Sequence, residues 1–321
     1  MKKIYLLTHF SARLPARMFL LACLWTLTSL FLPQLLNAQN EDLLSELGEE
    51  KTIDYATAAF KANRVVNGHS IENTAKGVLD TKFSHRFNPL RQGIYDIFGL
   101  DGASIRIGAD YGVTDRLMVG LGRSTYEKTI DGFAKYKILR QCSGAKNIPV
   151  TLAYLIDAQV KTVNFSDPER NNKFSDRLFY VHQLLVGRKF SNNLSLQLMP
   201  TLLHRNLTTS SKDKNDIFSI GAAGRIKLTK RIALNAEYYY VPEGQIEAPY
   251  ANSLSIGFDI ETGGHVFQLH FTNSAYMTYK GVLTETTEDW FFKNGDGKML
   301  SGIRFGFNIS RVFTLVKPNL H

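Results

Sequence analysis

The feature that most constrains this chain is the return of apolar side chains at every second position, in segment after segment. Ile105, Ile107, Ala109 and Tyr111 alternate with Ser104, Arg106, Gly108 and Asp110. Leu254, Ile256, Phe258 and Ile260 alternate with Ser255, Gly257, Asp259 and Glu261, and Ile303, Phe305, Phe307 and Ile309 with Arg304, Gly306, Asn308 and Ser310. A period of two puts one set of side chains on each face of a sheet. Twelve strands are predicted, at about 77–87, 103–112, 117–124, 129–141, 148–157, 177–190, 194–206, 217–228, 232–240, 253–262, 266–273 and 301–311. A soluble sandwich shows the same alternation, so the connections must decide the solvent.

They alternate in length. Val113–Arg116, Cys142–Asn147, Ser191–Asn193, Thr229–Arg231 and Gly263–His265 are short. Asn88–Gly102, Ala158–Asp176, Leu207–Asp216, Val241–Asn252 and Ser274–Leu300 are longer, and only Thr125–Lys128 is short on the long-loop side. Tight turns at one end and long loops at the other are what a closed antiparallel up-and-down transmembrane β-barrel requires. In lipid every backbone polar group must be paired, so the sheet closes on itself. The expected fold class is therefore all-β, a barrel of about twelve strands over residues 74–313, followed by a tail at 314–321. Strand 177–190 fits least well, because Phe179, Val181 and Leu185 make its second face apolar too.

The first 38 residues read as an export signal. Met1–Arg17 is basic, Met18–Leu32 is uncharged and apolar, and Leu36-Asn37-Ala38 is a small-residue cleavage site. A lipoprotein signal at Leu20–Cys23 is the weaker alternative, because the apolar run continues past Cys23. Removing residues 1–38, with four basic and no acidic side chains, lowers the formal net charge from +9 to +5. One cysteine then remains, Cys142, which excludes a disulfide framework and a multi-cysteine zinc site. No nucleic-acid partner is expected. The expected location is the outer membrane, reached after a cleaved signal peptide, with membrane lipid, the barrel assembly machinery and a periplasmic protein as partners.

The stretch "IFGLDGASIRIGADYGVTDRLMVGLGRSTYEKTIDGFAKYKILRQ", with "RVVNGHSIE" (Arg64–Glu72) and "FSHRF" (Phe83–Phe87) as lesser matches, resembles a family of Gram-negative outer-membrane β-barrel proteins of unknown function. The resemblance runs from about Phe60 to the C-terminus. It implies a single outer-membrane barrel and no particular activity. Such barrels tend to end on an aromatic residue, here Phe313, with Arg311 snorkelling at the interface.

Strand parity supplies the lumen-lining candidates: Arg106, Asp110, Asp131, Lys135, Lys137, Arg225, Lys227, Glu237, Asp259, Glu261 and Arg304. Six basic against five acidic groups is not the one-sign ladder of an anion channel. It fits a narrow pore for a small solute, or a closed barrel that docks an envelope partner. Three segments are candidates to fill the lumen or its mouth. The first is 39–73, placed in the periplasm or the lumen. The second is the loop carrying Ile94, Tyr95, Ile97, Phe98 and Leu100, expected to pack into the mouth or form a rim helix. The third is Ser274–Leu300. Chemistry is sparse, with no HExxH, GxSxG or P-loop, and neither a cofactor nor a metal is expected. A lipid-facing hydrolase would rest on His204, which continues the outward row Leu194, Leu196, Leu198 and Leu202, but no serine partner is evident.

Overall fold

The computed structural model describes residues 52–317, apart from 248, 294–296 and 298. The leader and its cleavage site lie outside the described residues. Twelve antiparallel strands close into a barrel. They are β1 (Val78–Pro89), β2 (Ala103–Gly112), β3 (Leu117–Ser124), β4 (Ile130–Leu139), β5 (Thr151–Val160) and β6 (Leu178–Lys189). Then follow β7 (Leu194–Arg205), β8 (Asp216–Lys227), β9 (Ile232–Tyr240), β10 (Ser253–Thr262), β11 (His265–Thr272) and β12 (Arg304–Thr314). Each strand pairs with its neighbour in sequence, and β12 returns to β1 to close the wall.

The strand bounds depart from the sequence expectation by three residues in two places. β5 starts at Thr151 rather than 148, because Cys142 and Ile148 exchange backbone hydrogen bonds across a wide turn (3.0 and 2.9 Å) and an irregularity between Lys137 and Leu139 shifts the register. β12 runs on to Thr314, because β1 begins at Val78 and needs a partner at its first residues. Arg311 and Phe313 lie near the end of β12, the guanidinium 5.0 Å from the ring centroid.

Alternation sorts the two faces of the wall. Phe83, Ile107, Leu121, Ile156, Leu202, Phe258 and Phe271 are exposed on the outside. Lys82, Arg86, Arg106, Lys135, Gln183, Gln197 and Gln268 are buried inside. An exposed apolar belt around a buried polar interior inverts a water-soluble protein and suits a bilayer. No described helix is long and apolar enough to cross a membrane.

Two segments fill the interior. From the short-turn end, a hairpin enters with Arg64 bridged to His69, Val65 N–H donating to Gly68 O (2.9 Å) and Ser70 N–H to Asn63 O (3.0 Å). From the long-loop end, the connection between β11 and β12 sends in a short helix, α1 (Tyr279–Thr284), all six of whose residues are buried.

Candidate functional site

The site is the filled lumen. The hairpin tip is Val65-Val66-Asn67-Gly68, a tight turn flanked by apolar residues. Glu237 on β9 accepts from the backbone N–H of Val66, Asn67 and Gly68 at 3.4, 3.1 and 2.9 Å. One carboxylate thereby satisfies three donors that burial would otherwise leave orphaned. Only glycine fits at position 68, since a Cβ there would lie 1.9 Å from Tyr239 Oη. Strands on either side of β9 hold the hairpin too. Gln268 Nε2 donates to Val65 O (2.9 Å), Asn308 Nδ2 to Val66 O (2.9 Å), and Gln197 bonds both His69 O and Ile71 N–H (2.8 and 2.6 Å).

The predicted lumen residues fall into three groups. Some hold the hairpin segment. Lys135 Nζ donates to Ser70 O and Glu72 O (2.8 and 2.5 Å), Lys137 pairs with Glu72 (3.5 Å), and Arg225 donates to Ala58 O and Ala59 O (3.2 Å each). Asp110 accepts from Asn63 Nδ2 (2.9 Å), and Glu261 pairs with Lys61. Others pair within the wall: Arg106 clamps Asp131 through two nitrogens, and Asp259 accepts from Gln268 Nε2 (2.9 Å). Arg304 faces the long loop through Glu288 (3.7 Å), and Lys227 sits at the short-turn end of β8. Parity alone missed Lys82, which lies 3.5 Å from Asp110 and bonds Asn63, and Arg86, which bonds Asn67 and Asn308 (2.8 and 3.0 Å).

α1 rests against the other side of the lumen. Tyr279, Val282 and Leu283 belong to one apolar cluster with Leu155, Phe179, Val181, Leu185, Met199 and Leu203 of β5–β7. This explains the poor pattern of strand 177–190: its inward face is apolar because it packs a filler instead of facing water. Beside α1, Lys280 Nζ lies 2.5 Å from both Glu127 and Glu285, Lys161 reaches Glu127, and Tyr126 donates to Glu285. Burial pushes Glu285 up to about 7. Burial also raises Glu127, but Lys280 and Lys161 outweigh it and hold that carboxyl below its ordinary value. The two fillers meet in mid-lumen. His69 N–H donates to Tyr279 Oη (3.3 Å), which donates on to Gln183 Oε1 (2.7 Å).

The loop expected to pack into the mouth or form a rim helix does the second: Leu90–Asp96 is a short 3₁₀ helix, broken at Gly93, and its apolar side chains do not enter the lumen. Ile94 and Tyr95 are 82% and 89% exposed, and Ile97, Phe98 and Leu100 are exposed as well. The loop closes on its own backbone. Asp96 Oδ1 caps Gly99 N–H (2.9 Å), Phe98 N–H donates to Gly93 O (2.6 Å), and Ile97 and Phe98 take left-handed backbone angles. That folding turns the apolar side chains outward, and the space they were expected to occupy is taken by α1. His204 bonds Asp216 and Asn206 (2.7 and 2.9 Å), whereas Ser219 and Ser255 are buried inside the barrel and bond Tyr240 O and Thr272.

A closed twelve-strand wall with an apolar outer belt and a polar, occupied lumen defines a membrane β-barrel. The chain belongs to the family described as Membrane bound beta barrel domain (DUF5777), whose model matches residues 60–313. That span includes the hairpin as well as the wall. Among solved structures it is similar to the NanC porin, at 8% identity over 74% of this chain and 100% of that one, with a TM-score of 0.45. It is also similar to the KdgM porin (8%, 74% and 99%, 0.43) and to an outer membrane channel from Pseudomonas putida F1 (10%, 75% and 97%, 0.40). No curated protein sequence matches the chain.

Proposed function

We propose that this protein is an outer-membrane barrel, exported by its leader, that is shut at rest and admits a small polar solute when α1 leaves the lumen. The observation that carries this reading is the unequal attachment of the two fillers to an interior that buries several charged groups beside an apolar cluster. Arg86, Arg106, Lys82, Lys135, Asp110 and Asp131 are each almost wholly buried. Buried charge is a costly way to build a permanent core, whereas a path that water and solute enter at intervals needs it. α1 is the movable part, because an apolar seat, the single hydroxyl of Tyr279 and one rim cluster hold it, while the hairpin's backbone is tied to several strands around the wall.

Single-channel recording in planar bilayers tests this. Wild-type protein should be closed for most of the record, and replacing 275–300 by a short Gly-Ser linker should give stable open steps. Absence of steps in both proteins would sink the channel and favour a barrel that scaffolds an envelope partner. The breadth of the hairpin's attachment supports that second reading. A hydrolase gains no support from His204, whose hydrogen bonds go to Asp216 and Asn206.

A further inference from the structure

The outer wall carries a hollow of about 650 Å³, lined among others by Ala109, Leu121, Gly132, Ala134, Ile156 and Ala158. The pairing register gives its shape. One lateral row runs Tyr111, Val119, Ala134, Ile156, and the next row towards the long loops runs Ala109, Leu121, Gly132, Ala158. Three of the four residues in that second row are alanine or glycine, so the wall is dented there, with Leu121 standing 68% exposed in it.

The following row is Ile107, Arg123, Ile130, Val160. Arg123 therefore stands on the outer face, about 7 Å above Leu121 by the rise of two strand residues. No described carboxylate pairs with it. A lipid-facing arginine is destabilising unless it reaches the interface and an anion. The strand ends one residue later in the turn 125–128, the only short connection on this rim. Glu127 turns inward to Lys161 and Lys280, while Lys128 is exposed. Lys128 is fixed by its N–H donating to Thr125 O (3.2 Å) and by its carbonyl accepting from Thr162 Oγ1 (2.7 Å). This short turn leaves two cations at the rim, with no described carboxylate paired to either, on the long-loop side of an apolar hollow.

We infer that this face is a binding site for a membrane lipid with a phosphorylated headgroup. The phosphate takes Arg123 and Lys128, and one acyl chain lies in the hollow between Ala109 and Ala158. Charge complementarity selects the headgroup, and the dent selects a chain instead of a bulky side chain. The site is independent of whether α1 moves, so failure of the channel reading leaves it standing.

Native mass spectrometry of purified barrel titrated with single lipids tests the site. The lipids are phosphatidylglycerol, lipid A, and diacylglycerol, which has the chains without the phosphate. One retained molecule of phosphatidylglycerol or lipid A per barrel is expected, with diacylglycerol washed off; whichever of the first two is retained identifies the source. The double change Arg123→Gln, Lys128→Gln should weaken retention by roughly 30-fold, about five-fold per cation. Ala158→Phe, which fills the hollow, should weaken it without touching charge. Unboiled gel mobility confirms that each variant is folded; if the double variant fails that check, each single glutamine variant replaces it. Equal retention of diacylglycerol, or retention unchanged in both the charge and the Ala158→Phe variants, would overturn the proposal.

Discussion

The two segments that occupy the lumen are held by different physics. Val65 and Val66 of the hairpin at 63–70 share the apolar cluster that seats α1, but its backbone is held in addition by directional bonds to buried polar groups: Glu237 on one strand, and Gln268 and Asn308 on others. α1 is held by apolar contact with β5–β7, by the Tyr279 hydroxyl between His69 and Gln183, and by the Lys280–Glu127 ion pair beside it. Hydrogen bonds to buried backbone are lost all or none, since a half-released hairpin leaves orphaned donors. Apolar contact gives way more gradually, and the ion pairs at the rim respond to pH and salt. On the reading proposed above, the hairpin is the fixture and the helix the movable part.

The largest effect should come from Glu237→Ala. It strands three N–H groups in the barrel interior, at an expected cost on the order of 4 kcal/mol. Hydrogen exchange should show the amides of Val66, Asn67 and Gly68 losing protection while the strands keep theirs. Unchanged protection would break the idea that this carboxylate anchors the hairpin.

Leu283→Ala should follow, at about 3 kcal/mol for a fully buried leucine. Here the loss should fall on the seat of α1, so open time in bilayers rises while hairpin exchange stays as in wild type. If both fillers loosen together, the comparison fails and they form a single plug.

A pH effect of up to about 3 kcal/mol comes next, from Glu285. Seated, its carboxyl is pushed up to about 7 by burial; released into water it returns towards 4.5. Between those values the seated form keeps a proton that the released form has lost. Closure is therefore fully stabilised below about 4.5 and weakens as pH rises to about 7. Glu127 works with the opposite sign. Its stabilisation is complete above 4.5 and is lost as pH falls through its depressed value, outside that window. Open probability should rise from pH 4.5 to 7 in wild type and stay low in Glu285→Gln; a rise of equal size in that variant would remove Glu285 from the account.

The wall was legible in the sequence because both of its determinants are local. Side chains alternate with period two, and turn residues punctuate the runs. Parity put Arg106, Asp131, Lys135 and Glu237 on one face for the same reason. The fillers were harder to see, since their contacts join residues up to 242 positions apart, as between Val66 and Asn308. Two local signals did point to them. Val65-Val66-Asn67-Gly68 is a hairpin turn standing before the first strand, and strand 177–190 has two apolar faces where a water-filled barrel needs one. The second signal implies an occupied lumen but does not say by which segment.

The smallest effect is expected where the sequence pointed most directly. Ile94, Tyr95, Ile97, Phe98 and Leu100 form an apolar run in a long loop, which on composition alone belongs in a barrel mouth or a rim helix. The loop is instead closed by its own hydrogen bonds and pinned at its start by Arg91, which pairs with Glu288 and lies 5.9 Å from the centroid of Phe292. Its apolar side chains are exposed and add nothing to the seat of α1. Replacing Ile94–Leu100 by a Gly-Ser linker should therefore leave conductance and open probability unchanged, while Arg91→Ala, which leaves Glu288 on the loop that carries α1 with Arg304 alone, should shift open probability slightly. A clear change in conductance on replacing Ile94–Leu100 would mean that this loop, and not α1 alone, sets the width of the mouth.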